Sequence, residues 1–141
     1  MRWDNSVRIW TTRLLVAVVT AWNVQATIAF IFSPGSFVRT YELSGAAGEA
    51  AIRGFGILFL MWNVPYGFAV AHPVCYRLGL VCALLMQLIG LIGESYIFFT
   101  LPTGHEILQS SVLRFILFDG TGLVLLFFAW IAIRKHATAQ F

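Results

Sequence analysis

The chain has 141 residues, of which 60% are hydrophobic and only 11% are charged, and its net charge is +3. Soluble domains carry about 25% charged residues, so this composition, with a mean hydropathy of +0.84, argues against a water-soluble domain. The few basic residues form no run interleaved with aromatic residues, so nucleic acid is not indicated as a partner.

The first stretch, residues 1–12, predicts a short helix lying at the membrane surface. Trp3, Val7 and Trp10 share one face of such a helix, with the two indoles at the level of the lipid headgroups. A frayed terminus is the alternative interpretation.

Four apolar stretches follow, each long enough to cross a hydrocarbon core of about 30 Å at about 1.5 Å per residue. The first is too long for the apolar part of a signal peptide and is followed by no small-residue cleavage motif, so we expect it to be retained. Pro65 predicts a kink in the second. The spans are residues 14–32, 52–71, 78–101 and 112–133, with an outer loop at 33–50, in a single domain covering 1–141.

The basic residues predict the topology of this all-α, integral membrane four-helix bundle. An even number of spans places both termini on one side, and that side carries six of the nine lysine and arginine residues. The positive-inside rule then places the N and C termini in the cytoplasm. The six are Arg2, Arg8, Arg13, Arg77, Arg134 and Lys135, and the other three are Arg39, Arg53 and Arg114.

Two carboxylates lie inside the apolar spans. Glu94 and Asp119 each fall seven residues from the outer end of their span, which places both about 10 Å below the outer boundary. Ionisable residues at membrane depth are costly and mark functional sites by default. We therefore predict an outward-facing pocket that binds a ligand or a proton. Its candidate residues are Glu94, Asp119, Asn23, Asn63 and Gln87, which share helical faces with small or polar residues, and Trp62, which lies beside Asn63.

A purely structural role for the same acids is the alternative. Arg53 and Arg114 lie near the outer helix ends and match Glu94 and Asp119 in number. Two buried ion pairs between helices would neutralise the carboxylates without any function beyond holding the helices together.

No motif indicates a metal, a cofactor or a catalytic nucleophile. His105 and Glu106 do not continue into an HExxH motif, because residue 109 is Gln109, and Cys75 and Cys82 lack CxxC spacing. The sequence therefore predicts no catalytic residues and no metal site, and it does not favour an enzyme.

The layout resembles the DoxX-like group of small bacterial membrane proteins. The matching features are Arg53-Gly54-Phe55-Gly56, the turn at His72-Pro73, Ile92-Gly93-Glu94 and Phe118-Asp119-Gly120. The resemblance implies a four-helix membrane fold in the bacterial cytoplasmic (inner) membrane. Some members of the group are linked to quinone-coupled sulfur oxidation and many have no assigned role, so the resemblance implies a fold more than a function.

Three functions are compatible with these features. The first is an accessory or scaffold subunit of a larger membrane complex, favoured by the small size and the lack of a catalytic set. The second is a binding protein or enzyme for a quinone-like or isoprenoid-like molecule in the pocket of Glu94 and Asp119. The third is a proton-coupled transporter acting as a dimer. The expected partners are the lipid bilayer and either other membrane subunits or a second copy of the chain.

Overall fold

The structure is a computed structural model that describes residues 5–134, and every regular element in this part of the chain is helical. A single turn of 3₁₀ helix, Arg39–Tyr41, joins the α-helices in the first loop. The α-helices are α1 (Asn5–Phe32), α2 (Gly35–Val38), α3 (Gly45–Trp62), α4 (Val64–Ala71), α5 (Arg77–Thr100) and α6 (Glu106–Arg134).

Four helical segments are long and apolar enough to cross a membrane, which confirms the predicted number of spans in an all-helical chain. Their most apolar windows have mean hydropathies of 1.4 to 2.2. The segments are Ser6–Phe32, Gly45–Ala71, Arg77–Thr100 and Glu106–Arg134.

The helix bounds differ from the sequence prediction at three places. The second span begins at Gly45 rather than at residue 52, so its first turns lie in the predicted outer loop at 33–50. The expected surface helix is continuous with the first span in α1, because no glycine or proline interrupts the chain between Asn5 and Phe32. The beginning of that predicted helix, including Trp3, lies outside the described residues. The last helix starts at Glu106 rather than at residue 112, since no helix breaker follows Gly104.

The second span is broken into α3 and α4 at Asn63. Pro65 has no backbone N–H to continue the helix, and it sits in the first turn of α4, where that donor is not needed. The side-chain Nδ2 of Asn63 donates to the carbonyl of Phe59 over 2.7 Å. The predicted kink is thus a change of helix, which lets α4 lean towards α5.

The helices pack most tightly in the half that contains the start of α1 and the end of α6, called here the terminal half. The hydroxyl of Thr12 donates to the carbonyl of Ala129 over 3.2 Å, and Nε of Arg13 donates to the carbonyl of Val70 over 2.9 Å. All four spans contribute to one core there. Its buried members are Val16, Val19, Tyr66, Ala69, Leu80, Ala83, Leu126, Ala129 and Ile133.

The opposite half, called here the loop half, is more open. There α3 packs against α1, and α5 packs against α6. The contacts of α5 with the second span are made mainly by α4, which belongs to the terminal half. The first loop folds over this end: the hydroxyl of Ser111 donates to the carbonyl of Thr40 over 2.7 Å. The carboxylate of Glu42 contacts His105 and accepts from the backbone N–H of Leu108. The space between the helices in this half holds the candidate site.

Candidate functional site

Two cavities lie in the loop half, with volumes of about 830 Å³ and about 300 Å³. Four residues line both of them: Asn23 from α1, Phe59 from α3, Glu94 from α5 and Asp119 from α6. The two carboxylates predicted from the sequence therefore stand at the boundary between the cavities and face both.

Seven aromatic residues form much of the apolar wall of the larger cavity. Phe30 is at their centre, and its ring centroid lies 4.7 Å to 6.2 Å from those of four other rings. A cavity of this volume with an apolar wall and a few polar groups is typical of sites for drug-sized ligands. The four rings around Phe30 are Phe37, Tyr41, Phe59 and Phe115.

Tyr41 is the member of this aromatic wall that comes from the loop rather than from a span. Its burial, and then the nearby carboxylate of Glu94, raise the pKa of the Tyr41 phenol well above its ordinary value. The hydroxyl therefore stays neutral at physiological pH and can donate a hydrogen bond.

The smaller cavity lies where α3 and α4 face α5. Trp62, Asn63 and Tyr66 form one wall, and residues of α5 form the other. At its rim Ile89 is 63% exposed, on the face of α5 that a surrounding bilayer would contact. The smaller cavity consequently opens to the side, between helices.

A chain of hydrogen bonds connects three of the four spans beside the carboxylates. The hydroxyl of Tyr66 donates to Oε1 of Gln87 over 2.6 Å and lies 3.2 Å from the carbonyl of Ala83. Nε2 of Gln87 donates to Oδ1 of Asp119 over 2.7 Å. Tyr66 and Gln87 are only 1% and 3% exposed, so these bonds satisfy polar groups that water does not reach.

Two glycines provide the space for this chain. A Cβ built on Gly90 would collide with Oδ2 of Asp119, and one on Gly122 would lie 2.6 Å from Nε2 of Gln87. The backbone of α5 thus approaches the carboxylate of Asp119 directly, and that of α6 approaches the amide of Gln87.

Two acceptor atoms beside the cavities are buried without a hydrogen-bond partner among residues 5–134. They are Oε2 of Glu94 and Oδ1 of Asn63. Both residues line the smaller cavity, and Asn63 is only 7% exposed. Unsatisfied buried acceptors are rare in folded proteins and call for an explanation such as a bound ligand or water.

The two arginines do not form the ion pairs that the structural interpretation of the sequence predicts. Arg53 pairs instead with Glu49 over 3.7 Å, because both lie on the same exposed face of α3. Arg114 is exposed and lines the larger cavity. Among residues 5–134, no arginine or lysine lies within 4.0 Å of the carboxylate of Glu94 or Asp119.

All six predicted site residues line one or both cavities, whereas Tyr66 and the aromatic wall were not predicted. Tyr66 follows Asn63 by three positions, on the same helical face, and a tyrosine five residues inside the end of a span, rather than at that end, was the available signal. Within the described residues, no three histidine, cysteine, aspartate or glutamate side chains are grouped as a metal site would need.

The chain matches no protein-family model, no curated protein and no solved structure. Fold and site together define an all-helical protein with four candidate membrane spans and a polar group of side chains between two cavities.

Proposed function

We propose that this protein binds a lipophilic small molecule, of quinone-like or isoprenoid-like size and apolarity, between its helices. The supporting observation is a pair of carboxylates, Glu94 and Asp119, that face an aromatic cavity of about 830 Å³ with no cationic side chain of residues 5–134 within 4.0 Å.

The energetic argument concerns the cost of these acids. An aspartate at the centre of a membrane helix costs about 2.5–3.5 kcal/mol on insertion scales. Apolar residues of similar volume usually replace buried charges without loss of stability. A protein that needed only a stable fold would gain nothing from leaving Oε2 of Glu94 without a partner. A ligand that contacts this oxygen would account for it.

The setting of the site is part of the proposal. We place the chain as a DoxX-like four-helix bundle in a bacterial inner membrane, with both termini in the cytoplasm. The six-to-three distribution of basic residues supports this orientation. The cavities then belong to the outer half of the bilayer.

Ligand binding accounts for the site better than transport does. A transporter needs a route to both sides of the membrane, but the terminal half is closed by Val16, Leu80 and Leu126, which are fully buried. The roles of accessory subunit and of dimeric proton-coupled transporter stay predictions from the sequence, and no residue set supports a particular catalytic reaction.

The test uses Glu94→Gln and Asp119→Asn, which keep side-chain shape and remove charge. The control is Glu49→Gln, a carboxylate outside both cavities. Each variant is purified in mild detergent, its folded yield is measured by size-exclusion chromatography, and small molecules extracted from it are quantified per chain by mass spectrometry. We expect normal folded yield and loss of a co-purified molecule in the two cavity variants alone. Loss of folded protein in proportion to loss of the molecule would instead support a structural role.

A further inference from the structure

We infer that the polar end of the ligand is a hydrogen-bond-donating cation, such as a primary ammonium group, held in the smaller cavity between Asn63 and Glu94. This inference rests on the proposed function and specifies the chemistry of its ligand. The apolar part of the molecule would occupy the larger cavity, which shares the walls formed by Phe59 and Asn23.

The orientation of the Asn63 amide carries the first step. Its Nδ2 donates to the carbonyl of Phe59 over 2.7 Å. If the amide were flipped, Oδ1 of Asn63 would face the carbonyl oxygen of Phe59, and both atoms are acceptors. The hydrogen bond to Phe59 therefore determines which atom of the amide is Nδ2 and which is Oδ1. Oδ1 is the atom left buried without a partner. A ligand group that satisfies Oδ1 of Asn63 must therefore donate a hydrogen bond.

The second step concerns charge. Glu94 presents another unpartnered acceptor, Oε2, to the same surroundings. Asp119 already accepts from Gln87. Of the basic residues in the described part of the chain, 5–134, only Arg114 lines a cavity, and that cavity is the larger one. The smaller cavity therefore combines free acceptors with two acidic side chains and, among residues 5–134, has no basic residue in its lining. A donor that carries positive charge satisfies both conditions at once.

The third step concerns the walls. Trp62 and Phe59 line the smaller cavity beside the acceptors. Aromatic faces attract ammonium groups, by about 0.5–2 kcal/mol depending on desolvation. A group that only accepts hydrogen bonds, such as a quinone carbonyl, would instead face Oδ1 of Asn63 and leave both oxygens unsatisfied.

The experiment compares single-chain amphiphiles that differ only at the polar end. Dodecylamine is a cationic donor near neutral pH, since alkylammonium groups lose their proton only near pH 10. Dodecanol donates without charge, dodecyltrimethylammonium is charged without a donor, and dodecanoate is an anion. Binding to the protein in phosphatidylcholine nanodiscs is followed by tryptophan fluorescence, because Trp22 and Trp62 line the cavities.

We expect dodecylamine to bind at least about tenfold more tightly than the other three probes, a difference that fluorescence titration resolves. The preference should persist in Glu49→Gln and be lost in Glu94→Gln. Equal binding of dodecanol or dodecyltrimethylammonium, or tighter binding of dodecanoate, would overturn the inference.

A fifth probe, decyl-substituted benzoquinone, separates this inference from the proposed function. If the quinone binds in a Glu94-dependent way and dodecylamine does not, the ammonium inference is wrong and the proposed function stands. If no probe binds in a Glu94-dependent way and no molecule co-purifies with the chain, both are wrong.

Discussion

Nε2 of Gln87 donates a hydrogen bond to Oδ1 of Asp119 over 2.7 Å, which joins α5 to α6 in the interior of the protein. This bond distinguishes the two carboxylates. Asp119 is tied to the protein through Gln87 and Tyr66, whereas Oε2 of Glu94 has no partner among residues 5–134. We therefore assign Asp119 to positioning and Glu94 to contact with the ligand.

Replacing Gln87 by leucine should destabilise the folded protein. The variant Gln87→Leu removes the partner of Oδ1 of Asp119, and a buried group left unsatisfied costs about 1–3 kcal/mol. The Tyr66 hydroxyl loses its shorter hydrogen bond and keeps the carbonyl of Ala83 as an acceptor. The free energy of unfolding, measured by denaturant titration in mixed micelles, should fall accordingly. Gln109→Leu, at an exposed position of α6, is the control and should change it little. Equal effects of the two substitutions would show that the hydrogen-bond chain is not formed.

Gly90→Ala should displace the carboxylate of Asp119, because the new Cβ would collide with Oδ2. We expect lower stability despite the higher helix propensity of alanine. Gly93→Ala is a matched control on the same helix, where an added Cβ meets nothing within 4 Å. That substitution should stabilise the helix by up to about 1 kcal/mol. The thermal unfolding midpoints of the two variants should move in opposite directions, and a rise in both would contradict the close approach of α5 to Asp119.

Filling the mouth of the smaller cavity should weaken ligand binding without harming the fold. Gly93 lines this cavity, so Gly93→Leu places four carbon atoms at the opening between the helices. Gly67→Leu adds the same group on α4, at another glycine with open space around its Cβ and outside both cavities. Dodecylamine titration should give a weaker dissociation constant, by about tenfold or more, for Gly93→Leu alone. Unchanged affinity would mean that the smaller cavity is not the binding site.

The contact of Glu42 with the start of α6 should make stability depend on pH. The hydrogen bond from His105, and then that from Leu108, hold the pKa of Glu42 below its ordinary value of 4.5. A carboxyl group with a lowered pKa stabilises the folded state above its unfolded pKa and loses this effect as pH falls through the folded one.

The difference in unfolding midpoint between wild type and Glu42→Gln should therefore be present near neutral pH and disappear well below pH 4.5. Glu49→Gln, which removes an exposed ion pair with Arg53, serves as the comparison. A Glu42 difference that stays constant over this range would show that ionisation of Glu42 does not stabilise the fold.

The number of spans was predictable because a bilayer demands about 20 consecutive apolar residues for each helix. Glu94 and Asp119 were recognisable for the same reason, since carboxylates are rare in such stretches. Pro65 indicated a kink, but not that the helix would end at Asn63 and restart as α4.

The details of the site depend on how the helices rotate about their axes, which composition does not reveal. In the sequence, Phe30 and Phe115 cannot be distinguished from phenylalanines that face lipid. The fold brings their rings together in the wall of the larger cavity. The structural interpretation of the sequence predicted that Arg53 would pair with an acid inside the bundle. Arg53 pairs instead with Glu49, one helical turn away, because this exposed ion pair does not require either charge to leave water.

The most direct test of ligand binding is the mass of the intact particle released from native membranes in mild detergent. We predict the chain alone, or a homo-oligomer of it, carrying one small molecule per chain that is absent from Glu94→Gln and retained in Glu49→Gln. A particle that contains other protein subunits in fixed ratio, with no small molecule dependent on Glu94, would contradict the account and support the role of accessory subunit.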